Sequence, residues 1–374
     1  MLMITHSCNL NCTYCYEAFK SNKMMSFDLA CSLILKECEF VKRHRRKFKG
    51  LEIDLMGGEP MTNFPLIKQL VEWAEAGNID VPYIFFITTN GTLFDDERKR
   101  WFREHAETIV CGVSYDGDDS LQKKNRGSTS RAIDIDFFLE TYPNQGVHMT
   151  VSKETLPFMA RGILALQHKG VGVEAALAEG IEWTVSDAEI YREQLKILSD
   201  AYLADPALKP IHLLTRLISV ENPSKNRKRQ RKFCGTGDYM ITYDVDGKAY
   251  GCHMFTPIVL GENALEIGNI DWKCPTIAED AVCKKCVLKN YCPTCAGFNF
   301  RYRGNIAERD KRRCRMYLEE ARVATEFQLA LVATRRSSLD ENDAQHAQAA
   351  LRAYEVLSQV DMTSSCPPFS LNTK

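Results

Sequence analysis

The chain has 374 residues, 45% of them hydrophobic and 26% charged, with a formal net charge of −1. Balanced charge excludes a protein that coats nucleic acid or an anionic membrane with its whole surface, and no apolar run reaches the roughly 20 residues of a membrane helix. The start, Met1-Leu2-Met3-Ile4-Thr5-His6, lacks the basic n-region of a signal peptide. The expectation is a soluble cytoplasmic protein with no membrane and no nucleic acid as partner.

Along the chain, short apolar stretches at 2–5, 51–55, 83–88, 109–114, 147–151 and 171–177 read as strands. Helical patterns separate them. Ser26 can cap a helix that sets Phe27, Ala30, Ile34, Cys38 and Val41 near one face. Pro65 suits the first turn of a helix through Trp73. Asp95 opens another toward Glu107, and 156–169 reads as a fourth. Six strands with intervening helices predict an α/β fold with a parallel sheet, open or curved as a partial barrel. In such sheets the chemistry sits at the carboxyl ends of the strands.

After about residue 180 the pattern changes. Residues 187–203 read as a helix, and 224–232 is hydrophilic and basic. The segments 239–243 and 248–252 flank Asp244-Val245-Asp246-Gly247, a hairpin signal. Residues 319–333 and 343–356 read as closing helices, and the tail with Pro367-Pro368 reads as disordered.

Fifteen cysteines are the anomaly. In a cytosolic chain dense cysteine points to metal rather than disulfides. Cys31, Cys38, Cys111, Cys274 and Cys366 are scattered and read as small buried hydrophobes. Cys8, Cys12 and Cys15 follow the first strand directly, which puts three thiolates on one loop at a strand's carboxyl end. A four-iron cluster offers four iron sites, so three local cysteines leave one iron for an external ligand; a zinc knuckle with a distant fourth ligand is the alternative.

Cys-x3-Cys-x2-Cys with Tyr14 before the third cysteine resembles the radical S-adenosylmethionine (radical SAM) superfamily. Gly57-Gly58-Glu59-Pro60 ends the second strand, Thr89-Asn90-Gly91 the third and Ser114-Tyr115-Asp116-Gly117 the fourth, with Asn125-Arg126-Gly127 beyond. The resemblance implies that Glu59 and nearby backbone hold the SAM amine, while Ser114 and Arg126 hold its carboxylate or ribose. It thus gives Tyr14, Gly57, Gly58, Glu59, Asn90, Ser114, Asp116 and Arg126 as cofactor-binding residues. It further implies reductive cleavage of SAM to methionine and a 5′-deoxyadenosyl radical.

Cys234, Cys252, Cys283, Cys286, Cys292, Cys295 and Cys314 fall in one stretch of the second half. Their spacing resembles the SPASM extension of radical SAM enzymes, which carries auxiliary four-iron clusters and acts mostly on peptides. By that resemblance Cys283, Cys286, Cys292 and Cys314 complete one cluster, and Cys234, Cys252 and Cys295 hold another with one iron open. The implied cofactors are three [4Fe-4S] clusters, one SAM-binding and two auxiliary, together with SAM. The open iron would take a substrate thiolate, a non-cysteine group or Cys274. Sulfatase maturases carry an acidic base directly after the second SPASM cysteine; here His253 stands there, a candidate base or a structural histidine.

The implied architecture is a partial (β/α)6 barrel over 1–180, a bridging region over 181–230, a SPASM domain over 231–320, and closing helices and tail over 321–374. The implied activity is maturation of a ribosomally made precursor peptide, with a thioether from a cysteine side chain as the bond formed. A carbon–carbon crosslink, epimerisation and sulfatase maturation are the alternatives within the family; a zinc module that binds nucleic acid through the basic runs 42–49 and 224–232 is the alternative outside it. Expected partners are the precursor peptide, an electron donor such as flavodoxin or ferredoxin, and a separate leader-binding protein.

Overall fold

The computed structural model describes residues 1–127, 133–220, 234–270, 272, 280–334 and 341–360. It divides into two compact units, residues 1–149 with 235–273 and residues 150–234 with 274–374. The stretch 224–232, Cys274, Cys366 and the tail lie outside the described residues.

The strands are β1 (Leu2–Thr5), β2 (Leu51–Gly57), β3 (Tyr83–Thr89), β4 (Ile109–Ser114), β5 (Val147–Val151), β6 (Val173–Leu177), β7 (Thr242–Tyr243) and β8 (Ala249–Tyr250). The helices are α1 (Phe27–Arg43), α2 (Phe64–Trp73), α3 (Asp96–Glu104), α4 (Asp119–Arg126), α5 (Ile135–Thr141), α6 (Met159–Gln167), α7 (Val185–Ala204), α8 (His212–Thr215), α9 (Pro257–Leu260), α10 (Ala296–Arg303), α11 (Cys314–Thr334) and α12 (Glu341–Leu357).

In the first unit the strand order is β5-β4-β3-β2-β1-β7-β8. β1 to β5 pair in parallel, β7 joins β1 in parallel through Leu2 and Tyr243, and β8 turns back antiparallel to β7. Parallel strands covered on both faces must be apolar throughout, which is why Leu2, Met3 and Ile4 of β1 and Phe85 and Ile87 of β3 are buried. α1 starts where expected: Ser26 accepts a hydrogen bond from Leu29 N, and Ala30, Ile34, Cys38 and Val41 form its buried face. Asp95 caps α3 through Arg98 N, and Pro65 occupies the first turn of α2. This is the parallel α/β sheet expected of a partial barrel. The hairpin β7–β8 forms at 244–247 as the sequence predicts and joins the edge of β1.

In the second unit α11 packs on α7, α8 and α12. α7 begins with a reciprocal cap, Asp187 N donating to Thr184 Oγ1 at 3.2 Å and Thr184 N to Asp187 Oδ2 at 2.8 Å. A buried carboxylate needs partners, and Glu320 of α11 has three: Tyr191 OH at 2.6 Å, Tyr291 OH at 3.0 Å and the Arg216 guanidinium.

Candidate active site

The loop from β1 leaves the sheet and returns to it. His6 N donates to Lys23 O at 2.9 Å and Met25 N to Ile4 O at 3.0 Å, so residues 6–25 form an excursion closed at its base. Its three cysteines are half-buried. A turn brings Cys15 N to Cys12 O at 3.1 Å, and Leu10 N donates to Cys8 Sγ at 3.4 Å.

The ends of β2, β3 and β4 hold this loop in place. A Cβ on Gly57 would stand 2.3 Å from Thr5 O, and one on Gly58 would stand 2.5 Å from Ser7 O and 2.9 Å from Cys8 Cβ. Only glycine lets β2 approach the cysteine loop so closely. Glu59 N then donates to Ser7 O at 2.8 Å. The Glu59 carboxylate is 2% exposed and accepts from Met61 N at 3.0 Å, Thr89 Oγ1 at 2.7 Å and Asn90 N at 2.7 Å. Burial pushes its carboxyl above the usual range, and these bonds pull it back. Asn90 Nδ2 donates to Asn9 Oδ1 at 2.9 Å and Asn9 Nδ2 to Thr92 Oγ1 at 2.8 Å, tying β3 to the loop between Cys8 and Cys12.

From the end of β4, fully buried Asp116 accepts from Tyr14 OH at 2.7 Å, Asn125 Nδ2 at 3.1 Å, Arg126 Nε at 2.9 Å and Arg126 Nη2 at 3.2 Å. Arg126 also lies over the Tyr14 ring at 5.5 Å, and Thr13 N donates to Asn125 O at 2.8 Å. The resemblance gave Glu59 and Arg126 to SAM. Both are hydrogen-bonded within the protein, Glu59 to Met61, Thr89 and Asn90 and Arg126 to Asp116. Ser114 is half-buried at the last position of β4.

His253 is half-buried in the first unit, its Nε2 3.4 Å from Tyr16 OH and its Nδ1 3.6 Å from Cys252 Sγ. Burial lowers its pKa to about 4, which leaves the ring neutral at pH 7.

The second cysteine site lies in the second unit. Cys283, Cys286, Cys292, Cys295 and Cys314 line one cavity with Arg309, Arg313 and Tyr317. Successive turns build it: Cys286 N donates to Cys283 O at 3.1 Å and Cys292 N to Leu288 O at 2.8 Å, while Cys314 opens α11. Of the trio assigned to the other auxiliary cluster, Cys295 lines this same cavity, Cys234 is exposed, and Cys252 is buried in the first unit.

Residues 2–140 match the family described as the Radical SAM superfamily. The amino-terminal part of this chain is a radical SAM domain. The chain is 30% identical over 177 residues to an uncharacterised protein of Methanocaldococcus jannaschii, covering 46% of this chain and 59% of that protein. It is 26% identical over 144 residues to the radical SAM cyclopropyl synthase TigE of Paramaledivibacter caminithermalis, covering 34% of this chain and 29% of TigE. The match thus spans less than two thirds of either relative. Among solved structures, anSMEcpe with bound AdoMet and Kp18Cys peptide aligns with a TM-score of 0.65 at 16% identity, covering 89% of this chain and 98% of that one. Streptococcus suis SuiB bound to precursor peptide SuiA aligns at 0.53 and 14% identity, covering 83% and 74%. The fold of these structures is therefore shared over most of the chain.

The donors of the radical SAM domain fit an iron–sulfur group. Burial pushes the Cys12 thiol up to about 11, and Cys8 and Cys15 add to this. Thiols clustered this way are donors of the type that hold an iron–sulfur group. In the second unit burial pushes the Cys292 thiol up to about 12, with Arg309 and Arg313 pulling against it. Among the described residues, no three His, Cys, Asp or Glu side chains surround a position for a single ion.

Sequence reasoning missed several residues here. Asn9, Thr89 and Thr92 flank residues already singled out, and only their pairing across strands gives them a role. Glu17, two residues past Cys15, is 7% exposed, and burial pushes its carboxyl up to about 8 against the pull of Lys20. No helix among the described residues is long and apolar enough to cross a membrane.

Proposed function

We propose that this chain is a radical SAM peptide maturase that forms a thioether from a cysteine side chain of a ribosomally made precursor peptide. The observation that carries the reading is the three-cysteine loop pinned by buried hydrogen bonds to the carboxyl ends of the parallel strands. When bound, a four-iron cluster on Cys8, Cys12 and Cys15 would supply the electron that cleaves SAM to methionine and a 5′-deoxyadenosyl radical.

The chain's own residues fix where this happens. Gly57 and Gly58 keep β2 against the loop. Glu59 sets Asn90 and the Met61 amide, Asp116 and Arg126 hold Tyr14, and Ser114 offers a hydroxyl at the end of β4. Cys283, Cys286, Cys292 and Cys314 would hold one auxiliary cluster, with Cys234, Cys252 and Cys295 as donors to a second. Closing a thioether removes a hydrogen atom from carbon, and a proton and an electron from the thiol. The hydrogen atom leaves with deoxyadenosine, the proton goes to a base, for which His253 is the candidate, and the electron goes to an oxidised acceptor at the auxiliary site. A flavodoxin or ferredoxin would supply the first electron, a separate protein would present the leader, and the enzyme would work in the cytoplasm.

Peptide as substrate is supported by the peptides named in the anSMEcpe and SuiB structures. A carbon–carbon bond is the second reading, favoured by the similarity to a cyclopropyl synthase. The test incubates reconstituted enzyme with SAM, reductant and cysteine-containing precursor peptides. Thioether formation predicts loss of two hydrogen atoms and of one alkylatable thiol. Loss of two hydrogen atoms with every thiol still alkylatable supports the carbon–carbon reading, and an unchanged peptide mass with deoxyadenosine formed points to epimerisation.

A further inference from the structure

We propose that Arg309, Lys311 and Arg313 form a cationic strap that raises the reduction potential of the group held by Cys283, Cys286, Cys292 and Cys314, fitting it to accept an electron. This rests on the four-iron reading of that cavity and adds the residues that set its potential.

The strap is the segment directly before Cys314, ending in a short 3-10 turn over Lys311–Arg313. Its one acidic residue, Asp310, also lines the cysteine cavity and offsets part of the strap's charge. Asp310 and Arg312 face each other, Arg312 Nε and Nη2 donating to the Asp310 carboxylate at 2.9 and 2.8 Å. Arg309 and Arg313 line the cysteine cavity, and Lys311 Nζ reaches Cys283 Sγ at 3.6 Å. Arg309 and Arg313 are 4% and 6% exposed.

Asp280 fixes the strap to the cysteine turn. It accepts from Arg309 N at 2.9 Å and from Lys311 Nζ, and on its other oxygen from Val282 N at 2.9 Å and Cys283 N at 3.3 Å. Arg309 Nη1 also donates to Cys292 O at 3.0 Å. Arg313 pairs with Glu179 and lies over the Tyr317 ring at 5.2 Å. The cations are therefore rigidly held, and Asp280 and Glu179 offset part of their charge.

A one-electron reduction adds a negative charge inside this ring. Positive charge and N–H donors beside cluster sulfurs stabilise the reduced form and raise the potential. Low dielectric around buried cations strengthens the effect. Two arginines on the cavity wall and a lysine 3.6 Å from Cys283 Sγ put the strap's positive charge beside the cysteines.

The experiment is a spectroscopic redox titration of the anaerobically reconstituted holoenzyme, with iron counted in every sample. Lys311→Gln should keep its iron and lower the midpoint of one auxiliary signal. At the wild-type midpoint its reduced-to-oxidised ratio should fall about tenfold, which is about 59 mV for one electron. Lys311→Arg should restore the ratio, and the SAM-binding cluster should not move. Arg313→Gln, on a different side chain of the strap, should shift the same signal in the same direction should Lys311→Gln lose iron. An unmoved midpoint in iron-replete Lys311→Gln and Arg313→Gln overturns the strap. A Cys286→Ala/Cys292→Ala variant that keeps all its iron and every signal overturns the four-iron reading instead, so the two failures are distinct.

Discussion

Replacing Asp116 by asparagine removes one charge and almost no volume. The Asp116 side chain is fully buried and that of Arg126 is 8% exposed, joined at 2.9 and 3.2 Å. An asparagine still accepts from Tyr14, so the loss falls on Arg126, whose guanidinium stays buried without its counter-charge. Removing one partner of a buried pair costs about 3–5 kcal/mol. At roughly 2–4 °C per kcal/mol for a domain of this size, melting should drop by on the order of 10 °C. Removing both charges, as in Asp116→Leu with Arg126→Met, should cost clearly less than the sum of the two single changes. Thermal unfolding of the anaerobic apoprotein, followed by circular dichroism, reads both. A melting temperature within a degree of wild type for Asp116→Asn would refute the claim that this pair pins the cysteine loop.

Three further outcomes follow from the geometry. Gly58→Ala puts a methyl group 2.5 Å from Ser7 O, so the loop must shift, and reconstituted protein should lose the iron of that site while the quartet in the second unit keeps its own. Tyr14→Phe deletes the donor to Asp116 at 2.7 Å and should cost about 1.5–3 kcal/mol, the range for a hydrogen bond to a charged group, read by denaturant unfolding. Asp187 caps α7, and although burial alone would raise it, bonds from Thr184 and Lys153 hold its carboxyl below the usual range. Its stabilisation is therefore complete above the ordinary value of 3.8 and fades as pH falls through the lower folded value. Asp187→Ala should cost about 1 kcal/mol at pH 7, and the gap to wild type should close in the apoprotein below that range. A gap that widens in acid would reverse the sign of this reasoning.

The sheet was legible because its strands carry short apolar or alternating apolar stretches between helical patterns, and β1, β4 and β5 have the expected bounds. α4 was not legible: in Asp-Ser-Leu-Gln-Lys-Lys-Asn-Arg only Leu121 is apolar, so no periodicity marks it. Its signals were the Asp118 cap and Gly127 in the left-handed conformation at its end. α5 and α10 are equally short, and α10 was read as cysteine-rich loop. α11 begins at Cys314, five residues before the expected 319. The helix predicted over 156–169 splits into a 3-10 turn and α6, and the one aimed at Glu107 ends at Glu104.

In the site, the cysteines could be read because soft donors at short spacing have few other uses. The partners of Glu59 and Arg126 could not, since Thr89, Asn90 and Asp116 reach them only through the sheet. A residue type names what a side chain can do; packing decides whether it faces a ligand or its own protein. The hairpin shows the same limit, since Asp-Val-Asp-Gly marks the turn and says nothing of the β1 edge it joins.

The most direct test measures 5′-deoxyadenosine from SAM with anaerobically reconstituted, dithionite-reduced protein, beside a Cys8→Ala/Cys12→Ala/Cys15→Ala variant. The account predicts a brown protein with about twelve irons per chain, for three four-iron clusters, and deoxyadenosine formed by wild type and absent with the variant. Colourless protein holding stoichiometric zinc, or equal SAM cleavage by both, would contradict it.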